Sequence, residues 1–192
     1  MQCTSTLAKQ LFLNPRNVGD ATEPSFIGRS ASFQCGASLQ ISINIDDTSQ
    51  RITEAKFRAA GCTALVAAAS LLTEEVAGKT TGDAAELAQR NGWIEGKLET
   101  IPAVPGDCIN LAREALVAAV RKYSDAARDE WNGEDALICT CFGVSEPTIE
   151  RKIAAHQLHS VAEVTKACNA GAGCRSCWPL IEDMLTEVNR KW

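Results

Sequence analysis

Nine unevenly distributed cysteines constrain this chain more than any other feature of its 192 residues. Four are spread widely over the first two thirds of the chain and five crowd into the last third, which predicts two separate sites. They are Cys3, Cys35, Cys62, Cys108, Cys139, Cys141, Cys168, Cys174 and Cys177. An odd number of cysteines argues against a disulfide framework in a reducing compartment and favours metal ligation or redox chemistry.

Composition predicts an ordinary folded protein and excludes two classes of partner. Hydrophobic residues make up 45% of the chain and charged residues 22%, with a net charge of -5. The acidic balance gives no basic footprint for nucleic acid or an anionic membrane. No apolar stretch approaches the roughly 20 residues of a membrane span, and the opening segment lacks the apolar core of a signal peptide. We therefore expect a cytoplasmic protein that binds neither nucleic acid nor membranes.

Hydrophobic periodicity predicts a hairpin followed by two helices in the first region. Apolar residues alternate from Ser32 to Ile45, which is typical of a half-buried strand, and residues 51–60 alternate in the same way. After Gly61 the period lengthens to three and four residues, which predicts a helix that ends near Gly78. A second helix is predicted from about Cys108 to Ala127. Cys62 and Cys108 would both lie at helix N-termini, where the helix dipole favours thiolate over thiol.

Each of these cysteines, taken alone, also fits a simpler interpretation as a small buried hydrophobe, and Cys35 on the predicted apolar strand face fits it best. Taken together, Cys35 in Q-C-G-A, Cys62 in A-G-C-T-A and Cys108 in P-A-V-P-G-D-C resemble the NifU amino-terminal domain and its relative IscU. The resemblance covers about residues 8–128 and includes the L-N-P-R-N-V-G opening at 13–19. It implies a small antiparallel sheet covered by helices, on which the three cysteines assemble a transient 2Fe-2S or 4Fe-4S cluster.

This first region departs from the family pattern at two positions. The family usually reads Cys-Gly-Asp where this chain has Cys35-Gly36-Ala37, so a carboxylate implicated in cluster release is missing. Without that oxygen ligand, the bound cluster is expected to persist longer. Before the third cysteine the chain also lacks the family's lysine and histidine, and Asp107 stands in the histidine's place. Asp107 is a candidate fourth metal ligand and equally a candidate cap for the helix that starts at Cys108.

The second region contains two close cysteine pairs. Cys139 and Cys141 form a C-x-C motif, and Cys174 and Cys177 form a C-x-x-C motif after 32 intervening residues. Four thiolates are the ligands that an all-cysteine 2Fe-2S cluster requires. Structural zinc also takes four sulfurs, but its sites usually use pairs wider than C-x-C. A glycine-rich stretch, residues 170–173, precedes the second pair and lets the backbone bend closely around a cluster.

Three short helices are predicted around these pairs. Ser145 can cap the first, Ser160 with Glu163 forms a capping box for the second, and Pro179 opens the third.

The segment from Ile138 to Pro179 is similar to the 2Fe-2S domain of NifU and to the bacterioferritin-associated ferredoxin. This resemblance covers about residues 136–192 and implies a small all-helical domain that holds a permanent 2Fe-2S cluster. The ligands that it implies are Cys139, Cys141, Cys174 and Cys177. Cys3 and Cys168 have no counterpart and are predicted to be bystanders. The whole chain is thus predicted to be α+β, with a scaffold domain at 1–128, a linker at 129–137 and a cluster domain at 138–192.

The order of the two regions is that of NifU, and the family's third, carboxy-terminal domain has no counterpart in this sequence. The resemblance implies a homodimeric carrier, not an enzyme, that receives sulfur from a cysteine desulfurase and passes clusters to apo proteins. Two other functions remain open at this point. One is a zinc-dependent acceptor that relays persulfide sulfur, and the other is a ferredoxin-like electron carrier whose first domain only docks partners.

Overall fold

The structure is a computed structural model that describes residues 6–46, 51–99, 108–129 and 135–190. The first region contains α1 (Thr6–Leu13), β1 (Phe26–Ala31), β2 (Ser38–Asp46), β3 (Arg51–Ala60), α2 (Thr63–Val76), α3 (Thr81–Gln89), α4 (Trp93–Leu98) and α5 (Cys108–Asp129). The second region contains β4 (Leu137–Cys139), β5 (Val144–Ser145), α6 (Glu146–His156), α7 (Val161–Cys168) and α8 (Trp178–Arg190). The predicted α+β class is confirmed.

The first region is built on an antiparallel sheet with the strand order β1-β2-β3. β2 pairs with β3 from Ser38 opposite Ala60 to Asp46 opposite Arg51, which confirms the predicted hairpin. Leu39 and Ile41 on β2 are buried, as the alternating pattern requires. α5 packs against β1 and β2, and α2 packs against β3, so the helices cover the apolar face of the sheet.

The predicted start of the strand at Ser32 is wrong. Residues 32–37 form a turn that joins β1 to β2, in which Gly36 N–H donates to Ser32 O and Ser32 N–H donates to Ala37 O. Gly36 adopts a φ of 69°, a conformation that glycine reaches without steric cost. Phe33 and Cys35 are therefore exposed, although they keep the spacing of the apolar strand residues. The interpretation of Cys35 as a small buried hydrophobe is wrong.

The two long helices of the first region follow their predictions closely. α2 begins after Cys62, which is its N-cap residue, and the chain turns away at Gly78 with a φ of 79°. The apolar side of α5 is buried as predicted, and Tyr123 on it meets Phe26 of β1 edge to face at a centroid distance of 5.2 Å. Asp107, the candidate cap of α5, lies outside the described residues.

The second region is a three-helix cluster with a short hairpin, β4 paired with β5. Ile149 and Ile153 of α6 and Ile181 of α8 are fully buried in its core. The capping box of Ser160 with Glu163 at α7 is confirmed. Ser145 occupies the N-cap position of α6, but its hydroxyl contacts the Thr148 hydroxyl at 3.1 Å and makes no capping bond. Within the described ranges, no helix is both long and apolar enough to cross a membrane.

Candidate metal centres

Three cysteines of the first region meet at one end of its sheet. Cys35 lies in the turn between β1 and β2, and Cys62 lies between the end of β3 and α2. Because Ser38 pairs with Ala60, the turn before β2 and the end of β3 lie at the same end of the sheet. Cys108 is the first residue of α5, and its thiol interacts with the thiols of both Cys62 and Cys35. The fold therefore brings together the three thiols that the sequence singled out.

The environments of these thiols differ sharply. The pKa of the exposed Cys35 thiol is lowered, chiefly by a hydrogen bond from the Ser32 hydroxyl and then by one from the Ala37 backbone N–H. Burial raises the pKa of the Cys108 thiol to about 12, and the neighbouring Cys62 thiol adds to that effect. In the metal-free protein Cys35 thus ionises more readily than Cys108, which gives up its proton only when a metal replaces it.

The position of the missing family carboxylate, Ala37, is buried directly beside this site. Only 3% of Ala37 is exposed, and its Cβ lies 3.0 Å from where a side chain at Gly61 would begin. The methyl group completes the apolar packing where β2 starts. Asp107 lies outside the described residues, so its role as a fourth ligand stays a prediction.

The four cysteines of the second region line one pocket. Its volume is about 230 Å³, and its remaining lining residues are Ile138, Thr140, Ser176 and Leu180. The Sγ atoms of Cys141 and Cys174 lie 3.3 Å apart, and the thiols of Cys139 and Cys177 interact. Each contact joins one cysteine of the C-x-C motif to one of the C-x-x-C motif. Four thiols around one pocket are chemically suited to a 2Fe-2S cluster.

Hydrogen bonding lowers the pKa of one thiol of the second set, whereas burial raises the pKa of two others. Ser176, through its hydroxyl and its backbone N–H, lowers the pKa of the Cys174 thiol to about 7, and the hydroxyl oxygen lies 3.1 Å from the sulfur. Burial raises the pKa of Cys177 to about 12, and the Cys139 thiol contributes to the shift. At Cys141 the Cys174 backbone N–H lowers the pKa, but burial and the neighbouring thiols together outweigh it and raise the pKa. Cys174 is thus the most readily ionised of these three thiols.

The glycine-rich stretch before Cys174 is held by contacts that the sequence did not predict. The Thr165 hydroxyl donates to Ala170 O at 2.7 Å, and the Trp178 indole N–H donates to Gly171 O at 2.9 Å. A side chain at Gly173 would begin 3.2 Å from the Cys141 sulfur, so the backbone passes close to a ligand. The only signal in the sequence was the run of small residues.

Cys168, predicted to be a bystander, is 1% exposed and donates its thiol hydrogen to Val164 O within α7. Cys3 lies outside the described residues. Across the described ranges, no group of three or more His, Cys, Asp and Glu side chains is arranged to hold a metal ion.

Comparison with known families identifies the chain. Residues 5–129 match the NifU-like N terminal domain, and this match covers more than half of the sequence. The chain belongs to this family. Residues 137–187 match the BFD-like 2Fe-2S binding domain. The predicted resemblances of both regions are confirmed, in the predicted order.

Curated relatives of this NifU-like chain carry related descriptions. The nitrogen fixation protein NifU of a Nostoc species is 35% identical over an alignment of 188 residues, which covers 93% of this chain and 62% of that protein. NifU of Azospirillum brasilense is 32% identical and covers 95% of this chain and 59% of its own length. The iron-sulfur cluster assembly scaffold protein IscU of Aquifex aeolicus is 32% identical over 112 residues, 58% of this chain and 70% of the relative. This chain thus spans less than two thirds of the length of these two NifU proteins.

Solved structures support the fold of the NifU-like region. The SUF-system protein FiSufU from Fervidobacterium islandicum AW-1 superposes with a TM-score of 0.50 at 16% identity, covering 62% of this chain and 96% of that one. At this identity the likeness shows a shared fold only. It agrees with the predicted sheet covered by helices.

Proposed function

We propose that this protein is a scaffold on which an iron-sulfur cluster is assembled and from which it passes to apo proteins. The observation that carries the proposal is the convergence of Cys35, Cys62 and Cys108 at one end of the sheet. The relatives described as NifU and IscU support it. In this proposal the cluster on the first region is cargo, and the protein is a carrier rather than an enzyme.

The differences among the three thiols suit a site that loads and unloads. Cys35, exposed and with a lowered pKa, is the thiol best placed to bind incoming iron. Cys108 is buried, and after its thiol loses the proton it binds the cluster from the inner side of the site. Three thiolate ligands leave one position open or weakly filled, which allows exchange. Asp107 is the candidate for that position. A cysteine desulfurase is the proposed source of sulfur.

We further propose that Cys139, Cys141, Cys174 and Cys177 hold a permanent 2Fe-2S cluster, which supplies one-electron transfer when bound. The protein's contribution is a pocket lined by all four thiols and a backbone that closes on it at Gly173. Thiolate character at Cys174, supported by Ser176, favours the start of ligation there. We place this homodimeric carrier in the cytoplasm.

The first experiment measures iron, acid-labile sulfide and zinc per chain in anaerobically purified protein. About two iron and two sulfide that resist a chelator are expected from the second region, and further iron and sulfide that a chelator removes are expected from the first. Zinc near one per chain alongside about two iron would support the sulfur-relay alternative. Zinc without iron would overturn the proposal.

Variants then separate the two regions. The triple variant C35S/C62S/C108S is expected to keep the chelator-resistant cluster but to lose activation of an apo acceptor protein. C139S/C141S is expected to lose the resistant cluster. C168S is the matched control, because Cys168 is buried within α7 and bonds to its own helix. Full acceptor activation by the triple variant would favour the electron-carrier alternative and refute the division of roles.

A further inference from the structure

Both loops that carry the second set of cysteines lie against helices of the first region. We call these contacts the seam, and its residues are Gly82, Ala127, Arg128, Thr140, Gly143, Asn169 and Ala172. The loop 139–143 meets the last turn of α5, where Arg128 Nη1 donates to Thr140 O at 3.3 Å. A side chain at Gly143 would begin 3.2 Å from the carbonyl carbon and oxygen of Ala127. The first cysteine pair is thus carried by a loop that rests on α5.

The second pair is held by a different helix. The backbone N–H of Gly82, in the first turn of α3, donates to Asn169 Oδ1 at 3.2 Å in a buried position, across 87 residues of sequence. Asn169 is 1% exposed and holds the left-handed conformation with a φ of 60°. A side chain at Gly82 would begin only 2.5 Å from the Cβ of Ala172. Glycine at position 82 therefore allows the loop 169–173 to seat directly on α3.

We propose that α3 and α5 support the loops that position the ligands of the permanent cluster, with Gly82 and Asn169 as positioning residues. The inference rests on the proposed function, in which the four cysteines bind a 2Fe-2S cluster. A shift of Ala172 is transmitted along the backbone to Cys174, and through Gly173, which packs on the Cys141 side chain, to the other pair. Because close-packed interiors transmit strain, a displacement of the residues at the seam also displaces cysteine ligands of both pairs. The first region then tunes the stability and potential of a cluster that it does not itself ligate.

Glycine-to-alanine substitutions at two helical positions test this inference. Alanine normally stabilises a helix relative to glycine, so propensity alone predicts a small gain at both positions. Gly96 in α4 is exposed and has no heavy atom within 4 Å of an added Cβ, which makes G96A the matched control. G82A instead forces its Cβ against Ala172. The two substitutions are therefore expected to change the stability of the protein in opposite directions.

The experiment uses the full chain, purified anaerobically with its 2Fe-2S cluster. We measure the rate at which visible circular dichroism is lost in a chelator, and the reduction potential of the cluster. G82A is expected to lose the cluster about tenfold faster than wild type, an effect of the size expected for an overpacked buried contact, and to show a shifted potential. G96A is expected to match wild type in both measurements.

Two further variants separate the seam from general damage to folding. A172G removes the group that the new Cβ would strike, so G82A/A172G is expected to recover most of the wild-type rate, even if G82A alone folds poorly. N169G keeps the left-handed backbone but removes the Oδ1 acceptor, and it is expected to accelerate cluster loss without a clash. Wild-type rates and potentials in both G82A and N169G would overturn the inference. A wild-type protein without any 2Fe-2S cluster would overturn the proposed function itself.

Discussion

Cys174 and Cys177 belong to one C-x-x-C motif, yet they are expected to differ greatly in reactivity in the metal-free protein. Ser176 lowers the pKa of Cys174 to about 7, while burial raises that of Cys177 to about 12. Cys174 is also exposed, whereas Cys177 is 6% exposed. The perturbation is limited alkylation with iodoacetamide at neutral pH, after the metal has been removed and the thiols reduced.

The size of the difference follows from these pKa values. At pH 7 about half of Cys174 is thiolate, whereas the thiolate fraction of Cys177 is on the order of 10⁻⁵. A thiolate of higher pKa is intrinsically more nucleophilic, and a Brønsted slope of about 0.4–0.5 returns roughly a hundredfold to Cys177. The net preference for Cys174 is thus a few hundredfold on the same principles, on the order of 10² to 10³. Restricted access to Cys177 increases it further.

The assay is peptide mass spectrometry of samples quenched at successive times. S176A is expected to slow the labelling of Cys174, because it removes the hydroxyl that stabilises the thiolate. S25A is the control, since the Ser25 hydroxyl donates only to the neighbouring Glu23 carboxylate, in a bond at the surface. Equal labelling rates for Cys174 and Cys177 would refute the reasoning, as would an S176A variant that labels Cys174 as fast as wild type does.

Three further outcomes are expected. A37D is expected to accelerate cluster transfer to an apo acceptor because it restores a carboxylate beside Cys35, with A37N as the uncharged control; an unchanged rate would show that the substitution is silent. Glu54 has its pKa lowered to about 2, chiefly by Lys56 and then by the Thr22 backbone N–H. Its contribution to the stability of the metal-free chain is therefore present above about pH 4.5 and lost as pH falls towards 2. Unfolding of wild type and E54Q should thus converge at low pH, and a constant gap would contradict this. I153A, at a fully buried position of α6, is expected to cost about 2–5 kcal/mol in urea unfolding of the second region, and a smaller loss would indicate that the core refills.

The sequence predicted elements whose periodicity is strong and local. α2, α5 and the hairpin of β2 with β3 each repeat one hydrophobic period over ten or so residues, and packing did not override it. The prediction failed at Phe33 and Cys35, where the alternation continues by chance through the turn closed at Gly36. Apolar residues at every second position do not by themselves distinguish a strand from a turn that happens to keep the same alternation. β1 has only six residues with a mixed burial pattern, and its residues show no clear hydrophobic period.

The grouping of the cysteines into two sets was predicted, and most of their surroundings were not. Spacing and local motif sufficed for the cysteines because both are properties of short segments. Ser32 and Ser176 act through single hydrogen bonds whose existence depends on the exact turn around each thiol. The bond from Gly82 to Asn169 joins residues that are far apart in sequence, and neither residue belongs to a motif. Such contacts emerge only after the helices pack.

The two cysteine sets differ in which part of the chain supports their loops, and that difference matches the proposed division between cargo and permanent cluster. In the first set Cys35 and Cys62 are exposed, and Cys35 lies in a turn held by its own backbone bonds. In the second set Cys139 and Cys177 are buried, and both ligand loops rest on neighbouring helices. A cluster dissociates by losing ligands one at a time, so the set with exposed, locally supported ligands loses it first. In the proposed function, loss from the second set would also disturb the seam, and the retention of one cluster would then depend on the integrity of the region that gives up the other.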